Sequence, residues 1–591
     1  MKKVSLTFLF LFALCSISTA QRVKGYKNFK VSVYVTVHDV QKSSNLNWFK
    51  RRIAFLQRYV HIDKVYLETY RGNVYADSSN IIRDKKYLEN QGIQVAGGIA
   101  FVKNGPHRFQ SFCYSNKKDV AEVKHIVTYT AHMFNEIILD DFFFDDCKCN
   151  DCIIKKGDQS WSKFRLKQVT DVAKNVIVKT AKEINPNIKM VIKFPNWYEH
   201  FHYLGYNLKE EPKFFDGIYT GTETRDPAFT DQHLQPYESY AIMRYFDNVA
   251  PGKNGGGWVD PFNRGTIDRY GEQLELTLLA KPKQVNLFEL NDLMQTVKES
   301  NGSTKLVSDV APEAGYEFDK ADTFLGELGK PVGIENYRPY DSSGEDFLPN
   351  YLGMLGIPID ITPHFPTHSQ TILLTEDARK DPDIISKIKK QLMEGKHVVI
   401  TSGLFKALQG RGIRKIIEAR YTGRTEDVHK YSNFQSIFYG KKDILIPQII
   451  YPTNDSWEVL SAFSGDNGFP MLLKATFGKG TLYILTIPEN FSDLYNLPEK
   501  ALNVIKSVLM EHIFVRTESP AKVGLFVYDN HTFVVHSFLT HPQSIKIVVD
   551  GKNKKLQELT TGRTMSGVTD GNHTTFKMGT RPHQYSVFKV E

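Results

Sequence analysis

Between residues 30 and 292 the chain alternates short β-rich runs with longer helical or loop stretches, and this limits the fold more than any other feature of the sequence. Eight runs read as strands: Lys30–Val37, Lys64–Thr69, Gln94–Phe101, Glu136–Phe143, Lys189–Phe194, Gly217–Thr222, a weak one at Gly257–Val259, and Gln284–Leu290. Strands separated by crossovers of that length pair in parallel, which makes the class α/β. Eight strands in about 270 residues suit a closed (β/α)8 TIM barrel. A doubly wound open sheet is the other arrangement such alternation permits. In a barrel the chemistry gathers at the C-terminal ends of the strands, and the polar residues of this segment collect there.

The chain has 591 residues, which is room for several domains. A second α/β unit begins near Gly329. It carries Pro331-Val332-Gly333-Ile334, Gln370–Leu374, a helical Asp383–Glu394, the apolar strand His397–Thr401 and a returning Gly480–Ile487, with a β-rich insertion over 420–470. From about Val515 short alternating strands, Val523–Tyr528, Thr532–Ser537 and Ser544–Val549, read as a small C-terminal β-sandwich. The expected division is a signal peptide over 1–20, a catalytic barrel over 21–325, the second unit over 326–514 and the sandwich over 515–591. The leader joins Lys2-Lys3 to an apolar run from Val4 to Ile17 and ends in Ser18-Thr19-Ala20, so a mature chain from Gln21, secreted or periplasmic, is expected. No later stretch suits a bilayer span, so no stable membrane anchor is expected. The net charge of +9 is spread along the chain without basic runs, which argues against a nucleic-acid partner but leaves a mild field that favours acidic polysaccharides.

Four of the five cysteines fall in one window, Cys113 and then Cys147-Lys148-Cys149-Asn150-Asp151-Cys152. Four thiolates close a tetrahedral zinc site with no open position, so such an ion would be structural. Two disulfides are the other use of four cysteines, although near-adjacent cysteines bridge poorly. The zinc would tie the loop after the third strand to the loop after the fourth.

This cysteine pattern, together with the domain order, resembles glycoside hydrolase family 42, the barrel-type β-galactosidases. The resemblance implies an α/β trimerisation domain of glutamine-amidotransferase-like fold, a C-terminal sandwich, a carbohydrate substrate and a homo-oligomer, a trimer by analogy. Gly329-Lys330-Pro331-Val332-Gly333 and Phe477–Tyr483 carry the likeness in the second unit. One departure matters. That family has an Asn-Glu pair at the end of the fourth strand, whereas this chain has Leu139-Asp140-Asp141-Phe142-Phe143. The run is similar instead to α-galactosidase-type barrels, which place an Asp nucleophile there.

Glycoside hydrolysis ordinarily needs two carboxyl groups across the scissile bond. Asp140 and Asp141 follow an apolar strand directly, and one of them is expected to be the nucleophile or base. Helix capping or a salt bridge is the plain use of such a pair. Glu223, at the end of Gly217–Thr222 and beside Arg225, is the expected acid; a Glu223–Arg225 surface pair is the plain reading there. Glu289 is the main rival. Glu68, Arg71, Lys193, Asn196, Trp197, Arg225, Trp258 and Glu289 are expected to bind substrate, with His38, Asp39, Tyr70, Tyr198 and Asn291 nearby. Aromatic faces stack on sugar rings, and charged and amide groups take hydroxyls. The Gly255-Gly256-Gly257 run reads as a flexible loop. No Gly-x-Ser-x-Gly elbow, Gly-x-x-x-x-Gly-Lys loop or His-Glu-x-x-His helix occurs. The function expected is an exported glycoside hydrolase; a non-catalytic glycan-binding barrel is the reading from a different class.

Overall fold

The computed structural model describes residues 24–105 and 109–591; the leader lies outside the described residues. The eight expected runs all become strands: β1 (Lys30–Val35), β2 (Lys64–Arg71), β3 (Gln94–Ile99), β4 (Glu136–Leu139), β5 (Lys189–Phe194), β6 (Gly217–Gly221), β7 (Asn254–Val259) and β8 (Gln284–Leu287). All pair in parallel with their neighbours. Val33 of β1 faces Val65 of β2 on one side and Leu287 of β8 on the other, so the sheet closes into a barrel and the open-sheet alternative is excluded.

Two-residue periodicity separates the two faces of the barrel wall. One set, including Val31, Val33, Leu67, Ile137, Leu139, Ile192 and Leu287, packs outward against the helices. The other set, Tyr34, Tyr66, Ala96, Ile138, Val191, Tyr219 and Trp258, fills the interior as a separate cluster. The helix Lys117–Ala131 shows how the outer ring forms. The Asn116 side chain accepts the backbone N–H groups of Lys118 and Asp119, and Val123, Ile126, Val127, Thr130 and Ala131 bury one face at helical spacing.

Most strand ends differ from expectation by one to four residues, and three differences matter for the site or the domain layout. β4 stops at Leu139, so Asp140 to Asp146 form a loop. The Gly255-Gly256-Gly257 run lies within β7 and is no loop. A Cβ on Gly256 would meet the Gln284 carbonyl oxygen at 2.1 Å and one on Gly257 the Thr277 methyl at 2.3 Å, so close packing demands glycine. Pro331–Ile334 is not one strand. Pro331–Val332 pairs with Val527–Tyr528 of the C-terminal region, whereas Ile334 starts the second sheet.

That second sheet has nine strands. Five are parallel: β9 (Ile334–Tyr337), β10 (Ile359–Thr362), β11 (Thr371–Leu374), β12 (His397–Thr401) and, later in the chain, β17 (Gly480–Leu485). The 420–470 region does not stand apart. Its long strands β13 (Arg420–Ser432), β14 (Ile437–Ile450), β15 (Ser456–Ser464) and β16 (Asn467–Phe477) extend the same sheet antiparallel to an edge at β14. The C-terminal strands form two further antiparallel sheets, one opening with β18 (Val515–Glu518) and the other containing β19 (Val523–Tyr528). The second unit braces the barrel directly above β5. Arg338, after β9, bonds Glu199 of the barrel at 2.5 Å and Asp377 at 2.7 Å, with all three groups buried.

Candidate active site

One step beyond the apolar interior layer, the same inward-facing register places charges. Two residues past Tyr66, Ile138, Val191 and Trp258 come Glu68, Asp140, Lys193 and Asp260, and Glu223 follows β6 in the same phase as Tyr219. The barrel therefore ends in a charged layer on an aromatic floor.

Lys193 is the centre of that layer. Its side chain is 2% exposed, with Nζ 2.7 Å from Glu223 Oε1, 2.9 Å from Asp141 Oδ2 and 3.9 Å from Asp140 Oδ1. The ammonium lies 4.6 Å from the ring centroid of Trp258. Asp140 is otherwise engaged: Arg71 donates to its Oδ2 at 2.5 Å and the Asp141 backbone N–H to its Oδ1 at 2.8 Å. Arg71 is fixed from behind by Glu68, which also accepts from Tyr34 and from the Val37 N–H. The Asp141 carboxylate accepts from Lys193 and is the more exposed of the two aspartates. Its backbone carbonyl accepts the Tyr206 hydroxyl, which fixes the loop.

The electrostatics follow from burial and these partners. Burial alone would raise the Asp140 carboxyl, but Arg71 and then Lys193 hold it below the usual range. Burial pushes Asp141 up to about 7 despite Lys193, with Asp140 and Glu223 adding to the rise. Burial likewise raises Glu223, helped by Asp260 and opposed by Lys193. The site thus holds one carboxyl kept ionised and two poised to take or give a proton.

A cavity of about 660 Å³ opens above this layer. Arg225 clamps Asp260 through two bonds of 3.0 and 2.6 Å on one wall, and Asn196 donates to the Glu223 carbonyl at 2.6 Å. Phe142 and Phe109 stack at the mouth, their centroids 5.0 Å apart, while Trp197, Phe262 and Phe288 complete the apolar lining. Two carboxyl groups under an aromatic-lined cleft can attack and protonate a bond held between them.

Of the expected residues, Arg71, Asp140, Asp141, Lys193, Asn196, Trp197, Glu223, Arg225 and Trp258 line this cavity. Others are placed elsewhere. Glu68 lies behind Arg71 and fully buried, out of reach of a ligand. Glu289 does not line the cavity; burial, with Asp39 beside it, pushes it up to about 8. Tyr198 packs beneath the surface against Tyr245 and Phe347. Trp258 is the floor and not the rim, because the two-residue register turns it inward beside Tyr34. The Glu223–Arg225 surface pair does not form, since Glu223 is buried on Lys193 and Arg225 holds Asp260. Asp260, Phe142, Phe262 and Gln232 are additions. Asp260 follows β7 directly, and the signal that could have found it was its place just after the weak strand expected at Gly257–Val259.

Beside the cleft the four cysteines converge. Cys113 follows β3 and Cys147, Cys149 and Cys152 follow β4, and one sulfur from each lies within 4.8 Å of the others. Cys113 Sγ is 3.5 Å from both Cys149 and Cys152. None is in a disulfide. Asp145 accepts the Cys147 N–H and Asp146 the Ser111 hydroxyl, which ties this loop to its neighbour. Zinc–sulfur bonds of about 2.3 Å in a tetrahedron place the sulfurs at nearly these separations, so the donor set fits that ion.

Residues 18–314 match the family described as "Probable glycosyl hydrolase, catalytic domain", and residues 514–590 the one described as "Probable glycosyl hydrolase, C-terminal domain". Residues 329–490 match the second domain of the uncharacterized protein SSO3021. That protein, from Saccharolobus solfataricus, is 23% identical over 584 residues, covering 90% of this chain and 95% of the other. Among solved structures, the β-galactosidase Gan42B of G. stearothermophilus aligns over 97% of this chain and 100% of its own, with a TM-score of 0.65 and 12% identity. The β-galactosidase of Bacillus circulans sp. alkalophilus aligns over 95% and 99%, with 0.63 and 11%. The exo-β-1,4-mannosidase Op5Man5 of Opitutaceae bacterium strain TAV5 aligns over 84% and 97%, with 0.52 and 10%. At such identities the likeness is one of fold.

Proposed function

From the premise that this chain belongs to the glycosyl hydrolase family matched by residues 18–314, and is a glycoside hydrolase, we propose that it cleaves with retention of anomeric configuration, Asp141 acting as nucleophile and Glu223 as acid and base. The observation that carries this reading is the shared ammonium. Bonds of 2.9 and 2.7 Å to one nitrogen keep the two carboxylate oxygens no further apart than those lengths laid end to end, about 5.6 Å. Retaining enzymes separate their carboxyl groups by roughly 5–5.5 Å and inverting ones by roughly 6.5–9.5 Å. Asp140 is unsuited to attack because Arg71 and a backbone N–H occupy its oxygens.

In this mechanism Glu223 gives its proton to the glycosidic oxygen as Asp141 attacks the anomeric carbon. The C–O bond breaks, the aglycone leaves as an alcohol, and a glycosyl ester forms on Asp141. Glu223 then takes a proton from water, which displaces the ester and restores both groups. Lys193 orients the two carboxyls and offers its third N–H to a sugar hydroxyl. The four cysteines are assigned a closed structural zinc shell that stiffens the loops after β3 and β4 without entering the chemistry. Export of the mature enzyme from Gln21 completes the proposal, and N-terminal sequencing of the secreted protein tests that part.

The main test is hydrolysis of a panel of aryl glycosides by wild type, Asp141→Gly and Glu223→Gln. Retention, read by NMR of the first-formed anomer, is expected of wild type. Asp141→Gly should lose turnover and regain it with azide as a glycosyl azide of inverted configuration. Glu223→Gln should keep its first step only on dinitrophenyl leaving groups, which need no protonation. An inverted wild-type product, or an active Asp141→Gly without azide, defeats the assignment.

A further inference from the structure

Outside the cleft, the second sheet carries a cluster that neither the hydrolysis nor the cysteines use. His397 opens β12 and Thr371 opens the adjacent β11. Glu511 and His512 follow the helix Glu499–Leu509, where the chain leaves this sheet for β18 of the C-terminal region. One ligand atom from each of His397, Glu511 and His512 lies within 4.8 Å of the other two.

The details favour convergence on a common point. His397 Nδ1 is enclosed and has no hydrogen-bond partner, yet Glu511 Oε2 stands 3.2 Å away. Tetrahedral zinc with ligands at about 2.0–2.1 Å keeps its donor atoms roughly 3.4 Å apart. The His397 and His512 rings meet edge-on, their centroids 5.4 Å apart and inclined at 67°, which brings both imidazoles to the same spot. Thr371 Oγ1 is 3.0 Å from His512 Nδ1, the kind of hydrogen bond that fixes a ligating imidazole.

We propose that His397, Glu511 and His512 form a second metal site, for a divalent cation of the zinc class, with water filling the open coordination. Two imidazoles and one carboxylate suit zinc, whereas magnesium and calcium prefer oxygen donors throughout. Glu511 and His512 are exposed, so the ion enters from solvent. Once bound it clasps the 510–514 connector to the start of β12, holding the C-terminal sheets against the second unit.

The test uses the full mature protein, stripped with chelator and titrated with Co²⁺, with bound metal measured by atomic emission. Thiolate ligands give intense charge-transfer bands, whereas a histidine and carboxylate site gives only weak visible bands. Wild type is expected to bind one equivalent more than His512→Ala or Glu511→Gln, with identical thiolate bands in all three. Zinc should raise the unfolding midpoint of wild type more than that of either variant. Equal metal content in the three proteins, or stabilisation fully shared by the variants, overturns the proposal. No readout involves turnover, so the outcome is independent of the catalytic assignment.

Discussion

Replacing Lys193 by methionine should move the whole pH profile of the enzyme to higher pH. The methionine keeps the stem over Trp258 but deletes a charge 2.9 Å from Asp141 and 2.7 Å from Glu223. Removing an opposite charge that close to a buried carboxyl raises its pKa by about 1–3. The nucleophile must be ionised, and Asp141 begins at about 7. A raised pKa means that more hydroxide is needed to ionise it, so the rising limb of kcat/KM shifts to about pH 8–10. Below the original limb the ionised fraction falls tenfold each time the pKa rises by one, so activity there drops about 10- to 1000-fold. Glu223 loses the same cation, and the falling limb moves in the same direction. The assay is kcat/KM across the pH range on the aryl glycoside wild type turns over fastest, with thermal unfolding as a check on folding. A profile that drops evenly without moving either limb would refute the reasoning and leave Lys193 as a substrate contact only.

Three further outcomes are expected. Arg338→Met should cost about 3–5 kcal/mol in urea unfolding, because it leaves Glu199 and Asp377 buried and unpaired. Burial already raises both carboxyls, so the folded variant holds more protons than the unfolded chain and its stability should recover as pH falls, the opposite slope refuting the assignment. Phe142→Ala, which dismantles the stack at the mouth, should raise KM about 2- to 12-fold with kcat nearly unchanged, since a ring contact of about 0.5–1.5 kcal/mol is lost equally from ground and transition states. Cys113→Ser should lose the thiolate-bound metal and destabilise the barrel by a few kcal/mol, read as lost cobalt charge-transfer bands and faster proteolysis of the loop after β3.

The strands were legible because apolar runs with strand periodicity survive translation into strands: β5 of the barrel, β12 of the second sheet, and β19 and Thr532–Ser537 of the C-terminal region fall on the expected residues. The catalytic layer was legible in part for the same reason. Asp140 directly follows an apolar run and Glu223 the β-type run Gly217–Thr222, which puts both at strand ends. Sequence could not choose between Asp140 and Asp141, since that choice depends on Arg71 arriving from β2 to occupy one of them. Asp260 was overlooked although it directly follows the weak strand at Gly257–Val259, whose glycines look like a loop but are required by the packing of Gln284 and Thr277. Trp258 reads as a rim platform because it is an aromatic near a strand end; its parity with Gly256 turns it to the interior instead. The His397 cluster joins two segments over a hundred residues apart, a separation no local pattern spans.

The charge of the cleft argues against the inference that the chain's overall charge invites. A net +9 suggests acidic polysaccharides, yet the described residues lining the cavity are Asp140, Asp141, Glu223, Asp231 and Asp260 against Arg71, Lys193 and Arg225. The three cations are all committed to carboxylates inside the site. A uronate or sulfate at the cleaved residue would meet excess negative charge with no free cation among these residues, and like charges at such distances cost several kcal/mol. Uncharged glycosides should therefore be cleaved at least about 100-fold faster, by kcat/KM, than the matching uronides. Comparing hexoside and hexuronide pairs that share a leaving group measures this directly. Equal rates on the two would mean that Arg71 or Arg225 leaves its carboxylate to receive the substrate.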